Sequence, residues 1–319
     1  MTNIIEKGLP RILRSPNGEF SDKYVQIKNQ EANDYIRNVI HTASDGLMIS
    51  KFGTIELATV CTLGQKTLGM GKWDFLRGRM GSDDTFDKQK QLGYLCRNAG
   101  FFPNDLEYGE KYVHLTLEDA KEINILGSYL YNEKYLKNYI GNAIRVNLEG
   151  YYAPFLWKKP WTIELKGKRV LVIHPFVNTI EKQYQRRNKL FVDPEILPEF
   201  KELILLKAVQ SMADSAPKTG FRSWFEALEF MKNEIDKTNF DIALIGCGAY
   251  GMSLAAHVKR KKKIAIHLAG WTQMLFGIYG KRWVQDQPEF SKYINQYWVR
   301  PSEDEKPEGA QKVEGGCYW

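Results

Sequence analysis

A small set of residues in this chain has the type and setting for chemistry. In Ser50-Lys51-Phe52-Gly53-Thr54-Ile55-Glu56, the carboxylate of Glu56 could serve as a general base or hold a divalent metal, with Lys51 facing a phosphate. His174 ends the apolar run Arg169-Val170-Leu171-Val172-Ile173, and His267 closes another near Ile264–Leu268; each could move a proton or bond a substrate. A third apolar run, 241–245, leads into Gly246-Cys247-Gly248-Ala249-Tyr250-Gly251, with helical spacing (Leu254, Ala255, Val258) directly after. Glycines so placed allow a tight turn, and the helix start beyond it favours a negative group such as a diphosphate. Some twenty residues on, a dinucleotide fold would put an acid against a ribose; here the chain has Ile266 and His267, which argues against NAD. Gly270 and Gln273 follow at the end of the His267 strand, and in the run Phe276–Trp283 two glycines, Arg282 and an aromatic suit a loop over a nucleotide.

Each of these residues also has a structural reading. Thr54 could cap a helix whose first turn carries Glu56, and either histidine could be tied to backbone. Cys247 fits a crowded turn better than a nucleophile, since no triad is readable around it. Lys182, Arg186 and Arg187 could clamp a phosphate or line an exposed helix. The run Lys259–Lys263 falls at a helix C-terminus, where cations are favoured, although a membrane contact would use the same charges.

The elements needed to position these groups can be read in turn. Ala32, Tyr35, Ile36, Val39 and Ile40 predict a helix over 29–43, followed by a buried strand over 46–52 and a helix from Thr54. Residues 67–90 read as an irregular loop, and Thr116 with Asp119 as the start of a helix reaching Tyr131. From Lys166 onward, strands at 169–174, 203–208, 241–245 and 264–268 alternate with helices. One of these opens at the Ser223/Glu226 capping box, and a last strand is expected near 297–299. The expectation is an α/β, Rossmann-like, mostly parallel sheet flanked by helices, with an additional helical N-terminal portion. One domain spans 1–319: a helical part over 1–150, a regular β/α part over 151–300, and a tail over 301–319. The end of that tail, Cys317-Tyr318-Trp319, is apolar enough to dock on the body.

In such a sheet ligands bind beyond the carboxyl ends of the strands. Four segments fall there: 50–56, 174–176, 246–251 and 267–273. The net charge of +7 suits an anionic ligand or membrane surface but is too dispersed to indicate nucleic acid. No apolar run is long enough to cross a bilayer, and the segment MTNIIEKGLPRILRS has no signal-peptide core. Cys61, Cys96, Cys247 and Cys317 show no C-x-x-C spacing, so zinc is not expected and a reducing cytoplasm is.

The segments SKFGTIEL (50–57), GFFP (100–103), RVLVIHPF (169–176), GCGAYG (246–251) and HLAGWTQMLFGIYGKRW (267–283), with the GGCYW end, resemble the GT-D-type (GT-D-like) bacterial glycosyltransferases of surface-polysaccharide biosynthesis. The likeness extends over most of the chain. It implies a nucleotide-sugar donor, UDP foremost, and transfer of the sugar to a glycan or lipid-linked acceptor of capsule or lipopolysaccharide. It also implies a cytoplasmic location, with peripheral contact at the inner membrane where the acceptor is lipid-linked. In the family an Asp-x-Glu pair serves Mn²⁺ or Mg²⁺ and the donor diphosphate. Here the pair reads Thr54-Ile55-Glu56, so only Glu56 matches and metal use is an open alternative to neutralisation by Lys51 or Arg282. Other readings are a non-catalytic nucleotide-sugar-binding protein and, less well matched, an S-adenosylmethionine-dependent methyltransferase. The second is disfavoured because few strands remain after the glycine turn.

Overall fold

Short runs of Val, Ile and Leu bounded by glycine or proline become fully buried strands, because each is covered on both faces. A computed structural model describes residues 24–71, 74, 87–213 and 215–319. Its helices are α1 (Asn29–Thr42), α2 (Thr54–Leu63), α3 (Lys88–Ala99), α4 (Leu106–Ala120), α5 (Lys137–Ile140), α6 (Leu148–Tyr152), α7 (Val177–Tyr184), α8 (Trp224–Asp236), α9 (Tyr250–Arg260) and α10 (Trp271–Leu275). Its strands are β1 (Leu47–Ser50), β2 (Ile125–Gly127), β3 (Ile144–Val146), β4 (Arg169–His174), β5 (Glu202–Lys207), β6 (Ile242–Ile245) and β7 (Ile264–His267). Among the described residues these strands form one seven-stranded sheet in the order β3-β2-β1-β7-β6-β4-β5. Every pairing is parallel. The fold is α/β and Rossmann-like.

Alternation along the strands sends Met48, Leu171, Ile173, Ala243, Ile245 and Ala265 into a core shared with α2, α4, α8 and α9. Their neighbours Leu47, Ile49, Val170, Val172, Leu244 and Ile266 enter a second core with α1, α7 and α10. The chain therefore leaves β6 for one face of the sheet and β4 for the other. From β4 it moves outward to β5, and from β6 it moves inward to β7. The two loops diverge at this switch point and leave a crevice between them.

The strand expected over 46–52 forms as β1, and the N-terminal part adds β2 and β3 to the common sheet. Two expectations need correction. Thr116 and Asp119 do not open a helix but lie buried near the end of α4. The actual cap is Asp105, whose side chain accepts from the N–H groups of Glu107 and Tyr108, and the helix gives way to β2 before Tyr131. Near 297–299 there is no strand, only an isolated bridge between Ile278 and Val299. The Ser223 cap does form, its hydroxyl accepting from Glu226 N–H. Most of the expected loop at 67–90 lies outside the described residues, although Lys88–Lys90 already belong to α3.

The basic run is not a free patch. Arg260 pairs with Asp119 at 2.8 Å and with Glu122 at 3.1 Å, and Lys259 with Glu122 at 3.4 Å. Lys261 reaches Asp236, Lys262 reaches Asp45, and Lys263 donates to Phe240 O. No helix among the described residues is long and apolar enough to cross a membrane.

Candidate functional site

The loops beyond β1, β4, β5, β6 and β7 line one open cleft. Of the sequence-derived candidates, Lys51, Gly53, Thr54, Glu56, His174, Gly246, Gly248, Tyr250, Gly270, Gln273 and Arg282 all line it. His267 and Gly251 do not.

Glu56 sits in the first turn of α2, whose cap is Gly53. Its carboxylate folds back over Gly53 so closely that any side chain there would strike it. Thr54 is the first helical residue rather than the cap, and its hydroxyl is 3.2 Å from that of Tyr129. Tyr129 also donates to Phe52 O at 3.0 Å, and its ring lies 5.4 Å from Lys51 Nζ. Burial raises the Glu56 carboxyl above its ordinary range, and Lys51 opposes that rise. Lys51 is lowered by burial and supported by Glu56. Both keep an edge on the cleft, where water and mutual attraction moderate these shifts.

The histidines are neutral for the same cause. Burial brings each down to about 3, with the Lys51 charge adding to the effect at His267. His174 Nδ1 accepts from Phe176 N–H at 3.0 Å, which places the ring proton on Nε2 and makes the side chain a donor. His267 Nδ1 is 3.0 Å from Ser50 Oγ, its ring is packed under Gly251, and its Nε2 has no partner. It ties β7 to β1 instead of facing the cleft.

Much of the glycine turn is engaged in protein contacts even where it lines the cleft. A side chain at Gly246 would come within 2.5 Å of Thr272 Oγ1 and 2.8 Å of His174, and one at Gly248 (φ 58°) within 2.6 Å of Ala99 O. The N–H groups of Gly246, Ala249 and Gly251 already donate to Ile173, Ala99 and Gly248. Tyr250 stacks on Trp224 at 5.1 Å with its hydroxyl 2.9 Å from that of Ser211. Burial raises the Cys247 thiol far above its usual range, so it is no nucleophile at neutral pH.

The C-terminal segment completes the wall, as its apolar end leads one to expect. Arg282 N–H donates to Cys317 O, and Lys281 N–H to Trp319 O. Gln273 Nε2 reaches Tyr318 O at 3.3 Å, so it anchors the tail, and Gly270 leaves room for the Tyr318 ring. The Arg282 guanidinium bonds the Glu314 carboxylate, the Tyr318 hydroxyl at 3.2 Å and Cys317 Sγ at 3.3 Å. Sequence reasoning missed Tyr129 and Glu314. Recognising β2 would have pointed to Tyr129 just past its carboxyl end, while Glu314 carries no local signal.

A divalent metal fits this donor set poorly. Glu56 is the one carboxylate at the β1–α2 junction, Thr54 is turned to Tyr129, and Lys51 adds a cation. Among the described residues no three His, Cys, Asp or Glu side chains come together to hold an ion. No protein-family model, curated protein or solved structure matches the chain.

Proposed function

We propose that the protein is a glycosyltransferase that takes a sugar from a nucleoside-diphosphate donor, UDP being the expected nucleotide, and passes it to a hydroxyl of a glycan or glycolipid. The observation that carries this reading is the gathering of two cations, Lys51 and Arg282, with the raised-pKa carboxylate Glu56 in one cleft at the sheet's carboxyl edge. Lys51 and Arg282 would offset the charge growing on the departing diphosphate. Glu56 would take the proton from the acceptor oxygen as that oxygen bonds to the anomeric carbon and the carbon–phosphate oxygen bond breaks. His174 would donate a hydrogen bond from Nε2. No step is assigned to a metal. The surface-polysaccharide reading is supported by the resemblance, carried most specifically by HLAGWTQMLFGIYGKRW and SKFGTIEL.

The second reading is a nucleotide-sugar-binding protein without turnover, and Thr54 in place of a carboxylate favours it. A methyltransferase is disfavoured, since only β7 follows the glycine turn. Thermal unfolding with UDP, GDP, CMP, NAD and S-adenosylmethionine tests these readings. A ligand at a hundred times its Kd adds about 2.7 kcal/mol, so UDP is expected to raise the midpoint and the last two are not. With UDP-sugar and a glycan acceptor, Glu56→Gln is expected to lower transfer by roughly 10²–10⁴ while the protein stays folded. Wild-type turnover in that variant would remove Glu56 from the mechanism.

A further inference from the structure

The cleft is electrically divided, and the division follows strand order. Its charged groups, Lys51, Glu56, Arg282 and Glu314, gather where β1 and β7 end. Beyond β4 and β5 the walls carry Asn98, His174, Phe176, Gln210, Met212 and Trp319. β4 stands three strands from β1, which is ~14 Å at ~4.8 Å per strand. None of these six far-end side chains bears a formal charge, His174 being neutral with its proton on Nε2. Phe176 and Trp319 meet at 71° with centroids 6.0 Å apart. They form a corner, not the parallel slot that a flat base would enter. Two amides, an imidazole N–H and an aromatic corner suit a compact ring bearing several hydroxyls. A carboxylate or ammonium brought there would lose hydration and find no counter-charge.

We infer that the β4–β5 half of the cleft is a subsite for an uncharged, hydroxyl-bearing ring, a neutral hexose-type sugar, and that it rejects uronic acids and amino sugars. The sugar's placement rests on the proposed donor site, with the diphosphate at Lys51 and Arg282.

Saturation-transfer NMR on the full chain tests this without nucleotide, using methyl glucoside, methyl galactoside and methyl glucuronoside. The neutral glycosides are expected to saturate at least about tenfold more strongly than the glucuronoside. Gln210→Lys, which supplies a counter-charge, is expected to reverse that order. Equal saturation by the glucuronoside, or an unchanged order in a folded Gln210→Lys protein, overturns the inference. Uridine is then added: displacement of the glycoside would put a base in this half and also overturn it, whereas retention supports it. UDP failing to bind while the neutral glycosides still saturate would remove the nucleotide-sugar reading and leave the subsite standing.

Discussion

Lys51 and Glu56 each oppose the shift that burial imposes on the other, and that opposition makes pH an informative probe. The Glu56 carboxyl lies above its ordinary value, with Lys51 pulling it down. Substituting Lys51→Met removes the pull, so the folded pKa rises further and the ionised base is lost at a higher pH as acidity increases. The acid limb of the pH–rate profile is therefore expected to move upward in Lys51→Met, together with a fall in rate. A limb that stays in place would show that another group sets it. His174 and His267 contribute no limb between pH 5 and 8, because burial holds both near 3. The same residues show where sequence reading stops. Lys51 and Glu56 are recognisable by type and by position after a strand, and Arg282 by its place in the glycine-punctuated run 276–283. The neutrality of the histidines depends on burial, which no local pattern conveys.

At the scale of elements, the glycine turn and the C-terminal segment exchange the roles that sequence alone gives them. The turn is a packing joint, so Gly251→Ala, whose new methyl strikes the His267 ring, is expected to cost ~1–3 kcal/mol in denaturant unfolding. The cost should shrink in a His267→Ala background, with a coupling of ~0.5–3 kcal/mol, and UDP affinity of the folded protein should hold. Loss of UDP binding without loss of stability would return the turn to the ligand. The C-terminal segment, by contrast, occupies a cation of the proposed site. Glu314, held at φ 45°, lies on the Arg282 guanidinium where a ligand phosphate would go. Such a part-exposed pair is worth ~0–1 kcal/mol, so Glu314→Gln is expected to tighten pyrophosphate binding by up to about fivefold in calorimetry. Weaker binding would make Glu314 a positioning residue for Arg282. Strands β1, β4, β6 and β7 are legible because each is an apolar run with a sharp stop. β2 and β3 have three residues apiece and offer no period to read. The Thr116–Asp119 spacing imitates a cap because the two lie on neighbouring turns of a helix that had already begun at Asp105.

At the scale of the whole molecule, the site depends on a sheet that neither half of the chain makes alone. β1, from the N-terminal half, lies between β2 and β7, with Leu47, Met48 and Ile49 opposite Ile264, Ala265 and Ile266. Removing that half would expose the edge of β7 and leave its outer backbone groups without their β1 partners. It would also take away Lys51 and Glu56 while leaving Arg282 and His174, so the cleft would lose the carboxylate proposed as base and one of its two cations. The intact chain is therefore expected to unfold in one cooperative transition, with far-ultraviolet dichroism and tryptophan fluorescence coinciding. Residues 1–150 and 151–319 expressed separately are expected to fold poorly and to bind no UDP. Mixing the fragments should restore binding only if β1 re-inserts beside β7. Two separable transitions, or a 151–319 fragment that binds UDP as tightly as the whole chain, would mean that the β1–β7 seam is dispensable and that Lys51 and Glu56 lie outside the binding machinery.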